Sequence, residues 1–193
     1  MDLTQGTEKE KQGRAKKMML WFGIASLIMS FAGWTSAYVV SSSRDDWLVD
    51  LKLPGAFIIS VVLITLSSIM LIIAKRALKA DNQSRTTLFL IVTFLLGVGF
   101  IVSQLMGFQQ IIDLGYNFTG PTSNITMSYI YLIATVHIVH VVVGLICLLV
   151  VIYNHFKQKY NKDEMLGFEL AANFWHFVDL LWLYLFLFLF YMS

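Results

Sequence analysis

The sequence predicts an all-α membrane protein: a bundle of five transmembrane helices, N-terminus in the cytoplasm and C-terminus outside. Three observations predict it. Of 193 residues, 58% are hydrophobic and only 13% charged, whereas a soluble domain carries roughly 25% charged residues. The charges sit in short stretches with long apolar runs between them. Lys and Arg alternate between abundance and scarcity from one polar stretch to the next.

A crossing needs about 20 apolar residues, because the hydrocarbon layer is roughly 30 Å thick and a helix rises about 1.5 Å per residue. Five stretches qualify, at about 18–40, 54–74, 88–112, 127–152 and 170–191. The chain divides into a polar cytoplasmic tail, 1–17, and a transmembrane domain, 18–193. Pro54 suits the start of the second helix, where a missing N–H costs nothing, and no proline interrupts a span. The tail before the first span has five basic residues, Lys9, Lys11, Arg14, Lys16 and Lys17. The first loop has Arg44 and Lys52, outnumbered by Asp45, Asp46 and Asp50; the third has none. The second has Lys75, Arg76, Lys79 and Arg85, and the fourth Lys157, Lys159 and Lys162. Twelve basic residues thus fall on one side and two on the other, and basic loops stay in the cytoplasm.

The same patterns exclude several classes. Basic residues flanking apolar runs make no nucleic-acid-binding face. Cys147 is the only cysteine, so it reads as a small packing residue rather than half of a disulfide or part of a zinc site. The first apolar run exceeds a cleavable signal core of roughly 7–15 residues, so it is expected to remain in the mature protein. Gly99, Ser103 and Gly107 on the third helix, and Gly33, Ala37 and Ser41 on the first, recur every four residues and suit close helix packing in lipid. Five spans without an internal repeat weigh against a secondary transporter.

Ionisable groups inside a span are costly and usually enclosed. The fourth helix carries His137 and His140; the fifth carries Glu169, His176 and Asp179; the third carries Gln104. His137 and His140, three apart, share a helix face, as do Glu169 and His176. A polar seam between the fourth helix and the fifth is expected, with His176 and Asp179 as one possible pairing. It could serve as a metal or haem site, as a proton path, or as an internally satisfied structural or lipid-headgroup site. A metal needs more ligands than H-x-x-H supplies, and a proton path should reach both faces, whereas residues 180–191 are apolar and aromatic. The structural reading is favoured. No nucleophile elbow or phosphate loop occurs.

Phe168, Glu169, Trp175, His176, Phe177, Val178, Asp179 and Trp182 closely resemble the last-helix pattern of subunit III of the haem–copper terminal oxidases, the cytochrome c and quinol oxidases, in their five-helix bacterial form. His137, His140 and Gly144 resemble the preceding helix. Leu66 to Ser68 with Ala74, Ala77 and Leu78, Gly97 to Gln104, and Phe31 to Gly33 resemble three others. Two departures are visible. The family's membrane glutamate would fall near Ile28 or Met29, and an acid expected after Gln104 is replaced by Gly107.

The resemblance implies an accessory, non-catalytic subunit in a bacterial cytoplasmic membrane. It would bind no cofactor or metal itself; haem and copper would lie in partner subunits. It would pack on oxidase subunit I, alongside subunit II and further respiratory-complex subunits, hold phospholipid, and support stability and proton uptake. His137, His140, Glu169, His176 and Asp179 become its polar, lipid-cleft cluster, and Gln104, Gly144, Trp175 and Trp182 its packing residues. The alternatives are an accessory protein of a nitric oxide reductase and an independent ion or proton transporter.

Overall fold

The structure, a computed structural model, describes residues 7–48, 53–118, 124–160 and 165–192. Five helices form in chain order: α1 (Glu8–Ser41), α2 (Gly55–Lys79), α3 (Gln83–Asp113), α4 (Ile125–Phe156) and α5 (Leu166–Met192). Each is long and apolar enough to cross a membrane, and the described residues contain no strand. The protein is a multi-pass, all-α membrane protein.

Local sequence sets the helix ends. Thr7 and Glu10 form a capping box at the start of α1: the Thr7 hydroxyl accepts from the Glu10 N–H, and the Glu10 carboxylate accepts from the Thr7 N–H at 2.9 Å. The expected tail therefore becomes helical at Glu8, well before the first apolar run. At about 1.5 Å per residue, α1 is about 50 Å long, so its polar first turns extend past the apolar layer. Pro54 caps α2 from just outside the helix. The Asn82 carboxamide caps α3 and that of Asn124 caps α4. Only Ala80, Asp81 and Asn82 separate α2 from α3, with Asp81 in the left-handed region at φ 58°.

That tight turn makes α2 and α3 an antiparallel hairpin. The hairpin closes into a four-helix ring: α2 packs on α3, α3 on α4, α4 on α5, and α5 on α2. Helix α1 lies outside the ring, against α4 and α5. It buries only Ile24, Phe31, Thr35 and Tyr38. Its C-terminal end is tied down, since Ser41 hydrogen-bonds the Tyr129 hydroxyl at 3.0 Å and Tyr38 meets Trp47, Tyr129 and Phe188 edge-on. In the loop beyond, the Arg44 side chain donates two hydrogen bonds to Asp46, lowering that carboxyl's pKa.

Of the two small-residue faces expected to pack, that of α3 does so at all three positions and that of α1 only towards Ser41. Gly99 sits against Leu63, the Ser103 hydroxyl donates to the Ala56 carbonyl at 2.8 Å, and Gly107 lies beneath the Phe57 ring. Gly33 on α1 is instead exposed, with nothing near the position of a Cβ.

Candidate functional site

The stretch 168–182 on α5 is held by three serines and a lysine of α2. The Trp182 indole N–H donates to Ser60 at 3.0 Å, and the Trp175 indole N–H to Ser67 at 2.8 Å. The His176 Nδ1 pairs with Ser68, and Glu169 lies 3.4 Å from the Lys75 ammonium. Residue numbers fall along α5 as they rise along α2, as antiparallel neighbours require. Ser60 and Ser67 are seven apart, matching Trp182 and Trp175, so two indoles meet two hydroxyls at one repeat. Ser60 also accepts from Gln104 Nε2 at 2.8 Å and donates to the Phe57 carbonyl at 2.7 Å.

The expected seam between α4 and α5 is thus corrected: the polar side of α5 faces α2. Its hydroxyls satisfy the indoles where no water can reach, and an unpaired buried donor would cost about 1–3 kcal/mol. The suggested pairing of His176 with Asp179 is absent. His176 bonds Ser68, and the enclosed Asp179 carboxylate lies beside that same hydroxyl rather than against His176.

Trp175 reaches further. A Cβ on Gly97 of α3 would stand 2.7 Å from its ring, and one on Gly144 of α4 would stand 2.9 Å away. One indole therefore occupies space left by two glycines and bonds a serine, joining α5 to α2, α3 and α4. Gly107 works alike: a Cβ there would meet the Phe57 ring at 2.5 Å. The acid expected at this position would have to displace an aromatic ring. The other missing acid would project outward, because Ile28 and Met29 are both more than half exposed.

The five expected cluster residues do not converge on one site: His137 and His140 both meet Phe31, while Glu169, His176 and Asp179 are spread along α5. His137 is fully enclosed, stacked on Trp182 at 4.9 Å with Phe100 and Phe31 edge-on. Among the described residues neither of its nitrogens has a hydrogen-bond partner. His140, half-buried, bonds its own helix at the Val136 carbonyl and meets Phe31. Glu169 marks one end of the bundle, with Lys17 of α1 at 3.7 Å and Lys75 on its other side. No group of three or more metal-ligating side chains converges among the described residues.

Sequence reasoning missed two features. Ser60 was not singled out, although its seven-residue spacing from Ser67 on α2 mirrors that of Trp182 from Trp175 on α5, and Lys75 was counted only as a basic flank rather than as a partner of Glu169. His155, buried in the last turn of α4, meets the Thr87 hydroxyl at 2.9 Å and ties α4 to α3; it stands beyond the end of the apolar run, where a polar residue carries no signal of burial. A cavity of about 460 Å³ also opens between α1, α4 and α5, lined by Leu20, Val143, Cys147, Phe174, Tyr160 and Asn154 among others.

The family model for cytochrome c oxidase subunit III matches residues 50–193. Cytochrome c oxidase subunit 3 of Drosophila yakuba is 31% identical over 130 residues, 67% of this chain and 47% of that protein. Cytochrome bo(3) ubiquinol oxidase subunit 3 of Buchnera aphidicola is 32% identical over 135 residues, 69% and 67% of the two chains. Cytochrome c oxidase subunit 3 of Bacillus sp. (strain PS3) is 25% identical over 179 residues, 91% and 84%. This chain spans about half the length of the Drosophila relatives it matches. The Bacillus match covers so much of the chain that it must reach into α1, which the family model does not. The serine–indole ladder, the glycine clasp and the helices that carry them all fall within the matched segment, and the chain belongs to the cytochrome c oxidase subunit III family.

Proposed function

We propose that this chain is the accessory, non-catalytic subunit III of a proton-pumping haem–copper oxidase. It lies in a bacterial cytoplasmic membrane with its N-terminus inside and its C-terminus outside, the orientation supported by twelve basic residues on one side against two. It packs on subunit I, with subunit II and further respiratory-complex subunits in the same assembly. Haem and copper belong to those partners, where oxygen is reduced. The chain stabilises subunit I, sustains its proton uptake and retains phospholipid. The cavity between α1, α4 and α5 suits an acyl chain, with Glu169, Lys17 and Lys75 at the headgroup level.

One observation carries this reading. In the segment that most resembles the family, Glu169, Trp175, His176 and Trp182 are all engaged by α1 or α2. Groups so engaged hold helices together and are not presented to a substrate. His137 and Asp179, enclosed beside them, belong to the same scaffold.

Purification in mild detergent through a tag on this chain tests the proposal. A large haem-bearing subunit is expected to copurify, its haem content unchanged when this chain is stripped away. The partner's oxygen-reducing activity then names the electron donor. A partner that reduces nitric oxide instead would transfer the chain to that enzyme. Recovery of the chain alone, carrying ions across liposomes, would overturn the proposal. Glu169→Ala and His176→Ala are expected to weaken assembly and lipid retention more than the initial oxidase rate; a fully assembled but inactive enzyme would contradict that.

A further inference from the structure

A second groove lies on the α2–α3 hairpin, away from α1 and from the helices that close the ring. It has a volume of about 550 Å³. Its two walls follow helical spacing. Ile73 and Arg76 stand on α2, and Asn82, Arg85, Leu88 and Phe89 on α3. Ala77 and Ala80 leave the floor open, because a longer side chain at either would fill it.

The lining is graded along the membrane normal. The guanidiniums of Arg76 and Arg85 stand within a turn of the helix ends, and Ile73, Leu88 and Phe89 lie about one turn deeper. Both arginines are exposed, and no acidic side chain among the described residues pairs with either. Lys75, their neighbour, is already taken by Glu169. The first turn of α3 carries no acidic residue, so its N–H groups add positive potential at the same place. Two arginines without an acidic partner among the described residues, above an apolar floor at the depth where a bilayer changes from headgroup to chain, match one kind of molecule.

We propose that this groove binds an anionic phospholipid, its phosphate between Arg76 and Arg85 and an acyl chain along Ile73, Leu88 and Phe89. The site is separate from the cavity beside α1. It depends on the membrane-embedded fold and not on which catalytic subunit the chain serves, so it stands or falls apart from the accessory-subunit proposal.

Native mass spectrometry of the full chain with its copurifying partners tests it, with titration by dioleoylphosphatidylglycerol and dioleoylphosphatidylcholine. The wild type is expected to hold one phosphatidylglycerol that phosphatidylcholine does not displace. Arg76→Gln with Arg85→Gln should weaken that adduct roughly thirtyfold, about fivefold for each cation near an anionic headgroup. Arg76→Lys with Arg85→Lys, which keeps the charge, should retain most of the preference and shows that the hairpin still folds. Equal binding of the two lipids by the wild type, or an unchanged adduct in the glutamine variant, would overturn the proposal. So would a crosslink from Ser84→Cys to an acidic segment of a partner subunit, since protein would then occupy the groove.

Discussion

The α2–α5 ring and helix α1 are both apolar enough to cross a bilayer, yet they are held in different ways. In the ring, hydroxyls, indoles and glycines interlock at fixed heights: Ser60 with Trp182, Ser67 with Trp175, and Gly97 and Gly144 around the Trp175 ring. Helix α1 is attached through Phe31 near its middle, Tyr38 and Ser41 at one end, and Lys17 at the other. The family model covers the ring and stops short of α1. Hydropathy brings a helix into the membrane, but lipid is as apolar as its side chains. What holds one helix to another is therefore shape and hydrogen bonding, and the ring has far more of both.

The largest effect is expected from Trp175→Ala. It removes a fully enclosed indole from between three helices, and such losses cost about 3–5 kcal/mol; denaturant unfolding in detergent micelles would measure it. A loss no greater than that of a lipid-facing substitution such as Leu105→Ala would break the comparison. Gly107→Ala comes next, at about 1–3 kcal/mol from overpacking against Phe57. Phe57→Leu should recover part of that loss in a double-mutant cycle, and purely additive losses would show that the two positions do not meet. Ser67→Ala leaves the Trp175 N–H without its acceptor and should cost about 1 kcal/mol, seen as a small drop in unfolding midpoint and a shift in tryptophan emission.

The smallest effect belongs to α1. Lys17→Ala removes one of two cations beside a partly exposed Glu169, and such pairs are worth about 0–1 kcal/mol. It should leave the unfolding midpoint of the ring nearly unchanged while making α1 easier to cleave by protease, and added salt should mimic it by screening. If the midpoint fell as far as in the Trp175 variant, α1 would have to be counted as part of the core.

Much of this architecture was legible in the sequence, because it depends on sums over long windows. Hydropathy located all five helices, and the expected spans lie within or almost coincide with those observed. Small-residue spacing on α3 pointed to its packing face. On α1 the same reasoning held at Ser41, which meets Tyr129, but not at Gly33, since spacing marks a face that could pack without naming a neighbour. It also placed the seam on the wrong pair of helices. Sequence adjacency made α4 the natural partner of α5, but ring closure brings α2 to the polar side of α5. His155 went unnoticed because a histidine at a helix end looks like an ordinary cytoplasmic residue until Thr87 is set beside it.

By itself the sequence determined that this chain is a five-helix membrane protein and that the segment 168–182 carries its family pattern, because composition, period and motif need no knowledge of which helices touch. Only the tertiary structure decided that α1 lies outside a four-helix ring, that α2 supplies the hydroxyls meeting the α5 indoles, and that Gly107 lies under Phe57, leaving no room for an acid. Those facts depend on which faces of distant segments meet and how far apart their backbones lie. In a membrane, where nearly every residue is apolar, local sequence carries little record of either.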